Sequence, residues 1–315
     1  MNKKMKKIIG VTVIAAAGMH VINRIIDYTA GLKELMSTDN GEIYEWNNGS
    51  IFYEKYGKGS PILLIHDLNP ASSLVEWSKV MHKLGKNHTV YAIDLIGCGR
   101  SEKPGITYTN FLYVQLINNF IRDVIGEEAD IITTGFSASF VIMAQAMNKE
   151  NFRKIILINP SPLDYLKAVP QKNNRIVKFL FELPILGTFL YNISVHEKKI
   201  HEMFEKKFFC KKSLISAKLE DIYFESAHKD KSMGKYLQAS MQSNFINVDI
   251  TDAVKNSGNL YLIASRERNN AIAITEDYLH INKNIEVSYI SNSKYLPQLE
   301  VPEKFLDVVK NCLDD

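Results

Sequence analysis

A serine stands where an apolar β-type run gives way to a helical pattern. Residues 131–134 are followed by Gly135, Ser137 and Ser139, so the serine has a small residue two positions before it and another two positions after it. This spacing is typical of a nucleophile elbow, a tight strand-to-helix turn that exposes a reactive hydroxyl. Ser137 is the first candidate for a catalytic nucleophile, although a serine in an ordinary strand-to-helix turn fits the same five residues.

Length and composition indicate a globular chain that can bury a sizeable core. The 315 residues are 46% hydrophobic and 23% charged, which allows one large α/β domain or a domain with an insertion. The formal net charge is +3 and the lysines are scattered, so no basic stripe indicates nucleic-acid binding. The cysteines at 98, 210 and 312 are widely spaced, which predicts neither a disulfide framework nor a metal site. No cofactor is expected.

The N-terminus differs from the rest of the chain. Four lysines within the first seven residues precede a mostly apolar stretch, 8–22, that ends at Asn23 and Arg24. We predict that residues 1–26 anchor the protein in the cell membrane, with the lysines inside and the body extracytoplasmic. A cleaved signal peptide, with the alanines at 15–17 as the cleavage site, would instead give a secreted protein. An amphipathic or buried helix is the third alternative.

From residue 41 onward, short β-type runs alternate with helical patterns. Runs at 43–46 and 51–56 flank an Asn-Gly pair, which predicts an antiparallel hairpin. Six further runs follow, at residues 61–66, 89–95, 130–134, 154–159, 260–264 and 285–290. Helical patterns lie between and after them, at residues 74–84, 113–124, 272–281 and 302–312. This alternation predicts an α/β fold with an eight-stranded, mostly parallel sheet and helices on both faces.

One long segment interrupts the alternation. Residues 161–256 show helical spacing throughout, which predicts a helical cap inserted into a sheet domain formed by 41–160 and 257–315. The segment is rich in lysine, and we expect its aromatic residues to pack over a pocket. Contact with a membrane surface is the alternative role of these charged and aromatic side chains, Phe179, Phe181, Phe189 and Tyr191.

Three further motifs occur in a fixed order around the serine. They are LLIHDLNPASS at 63–73, DLIGCGRSEKP at 94–104 and NSKYLPQLEVPEKF at 292–305. Together with the turn at Ser137, they make residues 41–313 resemble the capped subgroup of the α/β-hydrolase family.

The resemblance implies a serine hydrolase mechanism. Ser137 would be the nucleophile, and the backbone N–H groups of Ala138 and Leu68 would stabilise the oxyanion. His66 would have a structural role, with its ring bonded to the backbone of its own loop.

The remaining catalytic positions depart from the family pattern. Tyr295 stands where the family has its catalytic histidine, and a phenol with a pKa of about 10 is a poor base near neutral pH. Glu267 is one position away from the expected acid and lies between two arginines, while Asn159 occupies the alternative acid site. Asp67 replaces a glycine beside the oxyanion site, where a carboxylate would oppose the charge that must develop.

Two functions follow from this pattern. The first is a membrane-associated pseudoenzyme that is weakly active or inactive and binds a small apolar or ester-like molecule in a pocket under the cap. The alternative is an active serine hydrolase that uses Ser137 with an unconventional base, for which His228 in the cap is the best candidate.

Overall fold

The computed structural model describes residues 3–38 and 40–314, and within them eight strands form one sheet. The strands are β1 (Gly41–Trp46), β2 (Gly49–Tyr56), β3 (Pro61–Ile65), β4 (Thr89–Ile93), β5 (Ala129–Thr134), β6 (Phe152–Ile158), β7 (Leu260–Ser265) and β8 (Glu286–Ile290). Their order across the sheet is β1-β2-β4-β3-β5-β6-β7-β8. This confirms the predicted eight-stranded α/β fold.

The hairpin and the parallel strands follow the predicted pattern. β1 pairs with β2 and β2 with β4 in antiparallel fashion, while all other neighbours are parallel. The tight turn is formed by Asn47 and Asn48, because Gly49 already pairs with Trp46 as the first residue of β2. The central strands β3, β5 and β7 are buried along their whole length, as expected of parallel strands covered on both faces.

Helices cover both faces of the sheet. They are α2 (Met81–Leu84), α3 (Asn110–Phe120), α4 (Ala138–Met147), α11 (Thr251–Lys255), α12 (Ala271–Ile281), α13 (Pro297–Glu300) and α14 (Pro302–Asp314). The predicted helix at 74–84 is a 3₁₀ turn (Leu74–Trp77) followed by α2. α3 begins three residues before the prediction because the Thr109 hydroxyl accepts a hydrogen bond from the Leu112 N–H and caps the helix.

The segment between β6 and β7 is helical and contains its own apolar cluster. Its helices are α5 (Leu163–Leu166), α6 (Lys172–Glu182), α7 (Leu186–Ser194), α8 (Glu197–Met203), α9 (Ala217–Ser232) and α10 (Lys235–Gln242). We refer to residues 161–256 as the cap segment. Its interior is aromatic, and the cluster reaches Tyr295 and Leu296 of the sheet domain through Tyr191, Phe204, Phe208, Phe209 and Tyr223. Phe179, by contrast, is 61% exposed.

The N-terminal helix α1 (Lys3–Ala30) has two different halves. Its first half exposes apolar side chains to solvent, with Ile14 74% exposed. Its second half is hydrogen-bonded to the cap segment, because Asn23 donates to the main-chain oxygen of Ile185 and Asp27 accepts from the hydroxyl of Ser232. α1 is long and apolar enough to cross a membrane, a criterion that a signal sequence also meets.

Candidate functional site

The turn after β5 places a glycine, and not a serine, at its tip. Gly135 follows the strand directly and has φ +63°, the left-handed conformation that L side chains rarely adopt. Ser137 has φ −61° and ψ −23°, and it leads into α4 with ordinary helical geometry. The turn therefore differs from the prediction, which took Ser137 as its tip, because the chain reverses two residues earlier, as soon as β5 ends.

The side chain of Ser137 is fully buried and points into the sheet domain. Its hydroxyl donates a hydrogen bond of 2.6 Å to the main-chain oxygen of His66. No histidine ring nitrogen bonds this hydroxyl within the described part of the chain. The N–H of Ala138 donates to the oxygen of Phe136 inside the turn. Neither Ser137 nor Ala138 lines the cavity beside Tyr295 that is described below.

Asp67 and Tyr295 meet at the tip of the turn. The Phe136 N–H, immediately after Gly135, donates to Asp67 Oδ1 at 2.8 Å. The Tyr295 hydroxyl donates to Asp67 Oδ2 at 2.9 Å. A Cβ placed on Gly135 would lie under 3.0 Å from both side chains. The aspartate and the tyrosine thus fill the space into which a side chain at position 135 would project.

Tyr295 is held rigidly as a neutral hydrogen-bond donor. Its ring stacks on Phe208 of the cap segment, with centroids 5.4 Å apart and planes 6° from parallel. The main-chain N–H of Tyr295 donates to the main-chain oxygen of Phe208, and the main-chain oxygen of Tyr295 accepts from the side-chain amide of Asn159. Burial, followed by the charge of Asp67, raises the pKa of Tyr295 well above its ordinary value. The phenol therefore keeps its proton and cannot act as a general base near neutral pH.

The ring of His66 is hydrogen-bonded through both of its nitrogens. Its Nε2 accepts a hydrogen bond of 3.0 Å from the N–H of Leu95, so Nδ1 carries the proton and donates to the oxygen of Asp67 at 2.7 Å. The ring is fully buried, and burial lowers its pKa. The neutral imidazole fixes the loop that carries Asp67.

A buried carboxyl group, that of Glu76, is hydrogen-bonded to the main chain of Asp67. Glu76 Oε2 accepts the Asp67 N–H at 3.0 Å, and Oε1 accepts the hydroxyl of Tyr223 in the cap segment at 2.8 Å. Burial, followed by the charge of Asp67, raises the pKa of Glu76 to about 8. Sequence reasoning missed this residue. The sequence signal that could have identified Glu76 is its position as a lone acidic residue in the apolar stretch Leu74–Trp77.

The acid candidates of the sequence do not orient Tyr295. Glu267 accepts hydrogen bonds from the N–H groups of Asn292 and Ser293, at 2.9 and 3.2 Å, and so fastens the loop after β8. Asn159 bonds to Ser265 and to the main-chain oxygen of Tyr295. Neither side chain contacts the hydroxyl of Tyr295.

His228 is also remote from the turn. Its Nδ1 is hydrogen-bonded at 2.8 Å to the oxygen of Phe224, and its ring packs against Phe224 and Tyr191. Burial lowers the pKa of His228 to about 4. The histidine lines a cavity shared with Asp27 and Arg100, and Ser137 is not among the residues of that cavity.

A cavity of about 420 Å³ opens beside Tyr295. Its apolar lining comes from Leu68, Phe136, Pro162, Tyr165 and Met241, and its charged lining comes from Asp67, Lys206, Lys207, Arg268 and Lys294. Among the described residues, no group of three or more His, Cys, Asp or Glu side chains is arranged to hold a metal ion. The volume and mixed lining of the cavity are typical of small-molecule pockets.

Solved structures identify the fold. A serine hydrolase involved in carbazole degradation superposes with a TM-score of 0.70 at 15% identity, covering 87% of this chain and 98% of that one. A bacterial membrane phospholipase A superposes with a TM-score of 0.68 at 15% identity, covering 100% of this chain and 98% of that one. The chain has the α/β-hydrolase fold.

Two relatives match short segments of the chain in sequence. The chain is 25% identical to 2-hydroxymuconate semialdehyde hydrolase of Pseudomonas over 111 residues, which are 35% of this chain and 39% of the relative. It is 35% identical to 2-hydroxy-6-oxo-6-(2'-aminophenyl)hexa-2,4-dienoic acid hydrolase of Metapseudomonas resinovorans over 71 residues, 22% of this chain and 24% of the relative. The matches thus span less than half of each relative. No protein-family model matches the chain.

Proposed function

We propose that this protein is a membrane-tethered, non-hydrolytic member of the α/β-hydrolase fold that binds a small molecule in the cavity beside Tyr295. The observation that carries the proposal is the turn at Gly135. The position at its tip has no hydroxyl, and the space in front of it is filled by Asp67 and Tyr295.

The electrostatics of the turn support the same conclusion. Acyl transfer requires backbone donors that are free to stabilise an oxyanion. Here the Phe136 N–H, which follows the tip of the turn, already donates to the carboxylate of Asp67. A second negative charge at this place would be repelled. Loss of single triad members costs a serine hydrolase roughly 10⁴- to 10⁶-fold in rate, and in our proposal this chain lacks nucleophile, base and acid together.

Replacing Ser137 with alanine tests this proposal against the alternative of a hydrolase that uses Ser137. We expect Ser137→Ala to lower the free energy of unfolding by about 1 kcal/mol, because one buried hydrogen bond to His66 is lost. We expect no change in the hydrolysis of p-nitrophenyl butyrate. Ser257→Ala is the matched control, since this hydroxyl also donates to a main-chain oxygen, that of Ala253. Hydrolysis by the wild type that disappears in Ser137→Ala alone would establish the alternative.

The membrane tether in this proposal is α1. Its first half is apolar and exposed, and its second half is bonded to the cap segment through Asn23 and Asp27. The lysines that precede the apolar stretch favour an orientation with the N-terminus inside and the body extracytoplasmic. Release into the medium after signal cleavage is the alternative.

A charge in the middle of α1 tests the tether. We expect Ile14→Asp to reduce the protein retained in carbonate-washed membranes at least tenfold, because an aspartate at the centre of a spanning helix costs about 3 kcal/mol. Ile272→Asp, on the exposed surface of α12, is the control, because it also places a charge at an exposed isoleucine. Ile272 is 62% exposed and Ile14 is 74% exposed. Equal retention of both variants would contradict the tether. A secreted wild-type protein whose mass lacks the N-terminal residues would establish cleavage.

A further inference from the structure

The cavity beside Tyr295 has an excess of positive charge. Among the residues that the structure describes, four cationic side chains line it, and Asp67 is the only acidic one. That carboxylate already accepts hydrogen bonds from the Phe136 N–H and the Tyr295 hydroxyl. The cations therefore give the cavity a positive potential, which a cleft with low-dielectric walls strengthens.

Two of these cations lie over the Tyr295 ring. The Arg268 guanidinium is 5.5 Å and Lys207 Nζ is 4.7 Å from the centre of the ring. Arg268 donates one hydrogen bond, to the main-chain oxygen of Pro160 at 2.9 Å. Within residues 3–38 and 40–314, neither side chain is ion-paired with a carboxylate. Arg268 therefore has N–H donors available for an anion inside the cavity.

The other two cations of the lining are Lys206 and Lys294. Lys206 is exposed and lies 3.5 Å from the carboxylate of Glu202, which partly offsets its charge. Lys294 donates to the main-chain oxygen of Lys206, so this bond keeps it next to the cavity. The positive charge directly over the Tyr295 ring is thus carried by Arg268 and Lys207.

Part of the lining is apolar. Leu68 and Phe136 are buried, and the rings of Phe136 and Tyr165 meet edge to face with centroids 6.2 Å apart. Met241 completes this wall. Ligand cavities in this size range typically combine such apolar walls with a few polar groups that fix orientation.

We propose that the cavity binds a small carboxylic acid, with its carboxylate on Arg268 and Lys207 and its apolar body along Leu68, Phe136 and Tyr165. The inference rests on the proposed function, because the acid is bound and not turned over. A guanidinium presents paired N–H donors that match a carboxylate. The sequence predicts a small apolar or ester-like ligand, and the present proposal replaces this with a small molecule that has an apolar body and a carboxylate.

Cinnamate and cinnamyl alcohol test the proposal, because they share a carbon skeleton and differ in charge. We expect isothermal titration calorimetry to show cinnamate binding to the full-length protein at least tenfold more tightly than the alcohol. Arg268→Gln should weaken cinnamate binding about tenfold and leave the alcohol unchanged, since a charge-assisted hydrogen bond is lost. Arg266→Gln is the matched control, because this arginine lies two residues away over Tyr289 and does not line the cavity.

Lys207→Gln keeps the test decisive if Arg268→Gln fails to fold, because Lys207 is exposed and its loss leaves the bond to Pro160 intact. We expect it to weaken cinnamate binding by a similar factor. Equal affinities of the wild type for acid and alcohol, or no binding of either, would overturn the proposal that the ligand is an acid. Neither result would contradict the separate proposal that the protein does not hydrolyse its ligand. Equal weakening by Arg266→Gln would show a general charge effect and would also overturn the assigned site.

Discussion

Gly135→Ala is expected to lower the free energy of unfolding by about 3 kcal/mol. Part of this cost is the left-handed backbone, which disfavours L side chains by about 1 kcal/mol. The rest is overpacking, typically 1–3 kcal/mol, because the new methyl group would meet Asp67 and Tyr295 at under 3.0 Å. Both side chains are fixed by hydrogen bonds and stacking, so neither can move aside cheaply. Urea denaturation of the two proteins measures the difference.

Gly126→Ala is the matched control for the cost of placing an alanine in a left-handed backbone conformation. Gly126 also has a positive φ, +79°, and a Cβ there would meet nothing within 4 Å. We expect it to cost only about 1 kcal/mol. In an Asp67→Ala/Tyr295→Phe background, the cost of Gly135→Ala should fall to a similar value. An unchanged cost in that background would show that these two side chains do not fill the position.

Glu76 is expected to make the protein less stable as the pH rises from 5 to 8. Its folded pKa, about 8, exceeds its ordinary value of 4.5, so the folded state binds the proton more tightly than the unfolded state does. The stability that this group contributes is therefore complete below pH 4.5 and is lost as the pH rises towards 8. The full effect is on the order of 5 kcal/mol. Denaturation midpoints at several pH values measure it.

Glu76→Gln should remove this dependence. A glutamine imitates the protonated acid, since its oxygen can accept the Asp67 N–H and its amide can donate to the oxygen of Tyr223. We expect the variant to match the wild type at pH 5 and to be more stable at pH 8. Glu303→Gln, at an exposed site, should leave the pH dependence unchanged. A wild-type slope that persists in Glu76→Gln would assign the effect to other groups.

The fold could be predicted because its signals are local. The hairpin follows from asparagines and a glycine between β-type runs, and the parallel strands follow from buried apolar runs alternating with helices. The alignment of Tyr295 with the histidine position of the family also rests on a short segment, and it stays a prediction. These features depend on residue types within short windows.

The site could be predicted only in part because its contacts are distant in sequence. Asp67 and Tyr295 were each singled out, but 228 positions separate them and no local pattern indicates their hydrogen bond. The spacing of Gly135 and Ser137 satisfied the family pattern while the positive φ fell on the glycine. A glycine directly after a buried strand was the available signal, because it allows the left-handed conformation. Glu76 was missed, since its partner Tyr223 lies in the cap segment.

The most direct test of the central claim is labelling with a fluorophosphonate, followed by peptide mass spectrometry. Such reagents modify the activated serine of hydrolases, and an active hydrolase of this fold serves as the positive control. Our account predicts no adduct on Ser137, because its hydroxyl is buried and bonded to the main-chain oxygen of His66. A stoichiometric adduct on Ser137 in the folded wild type would contradict the account.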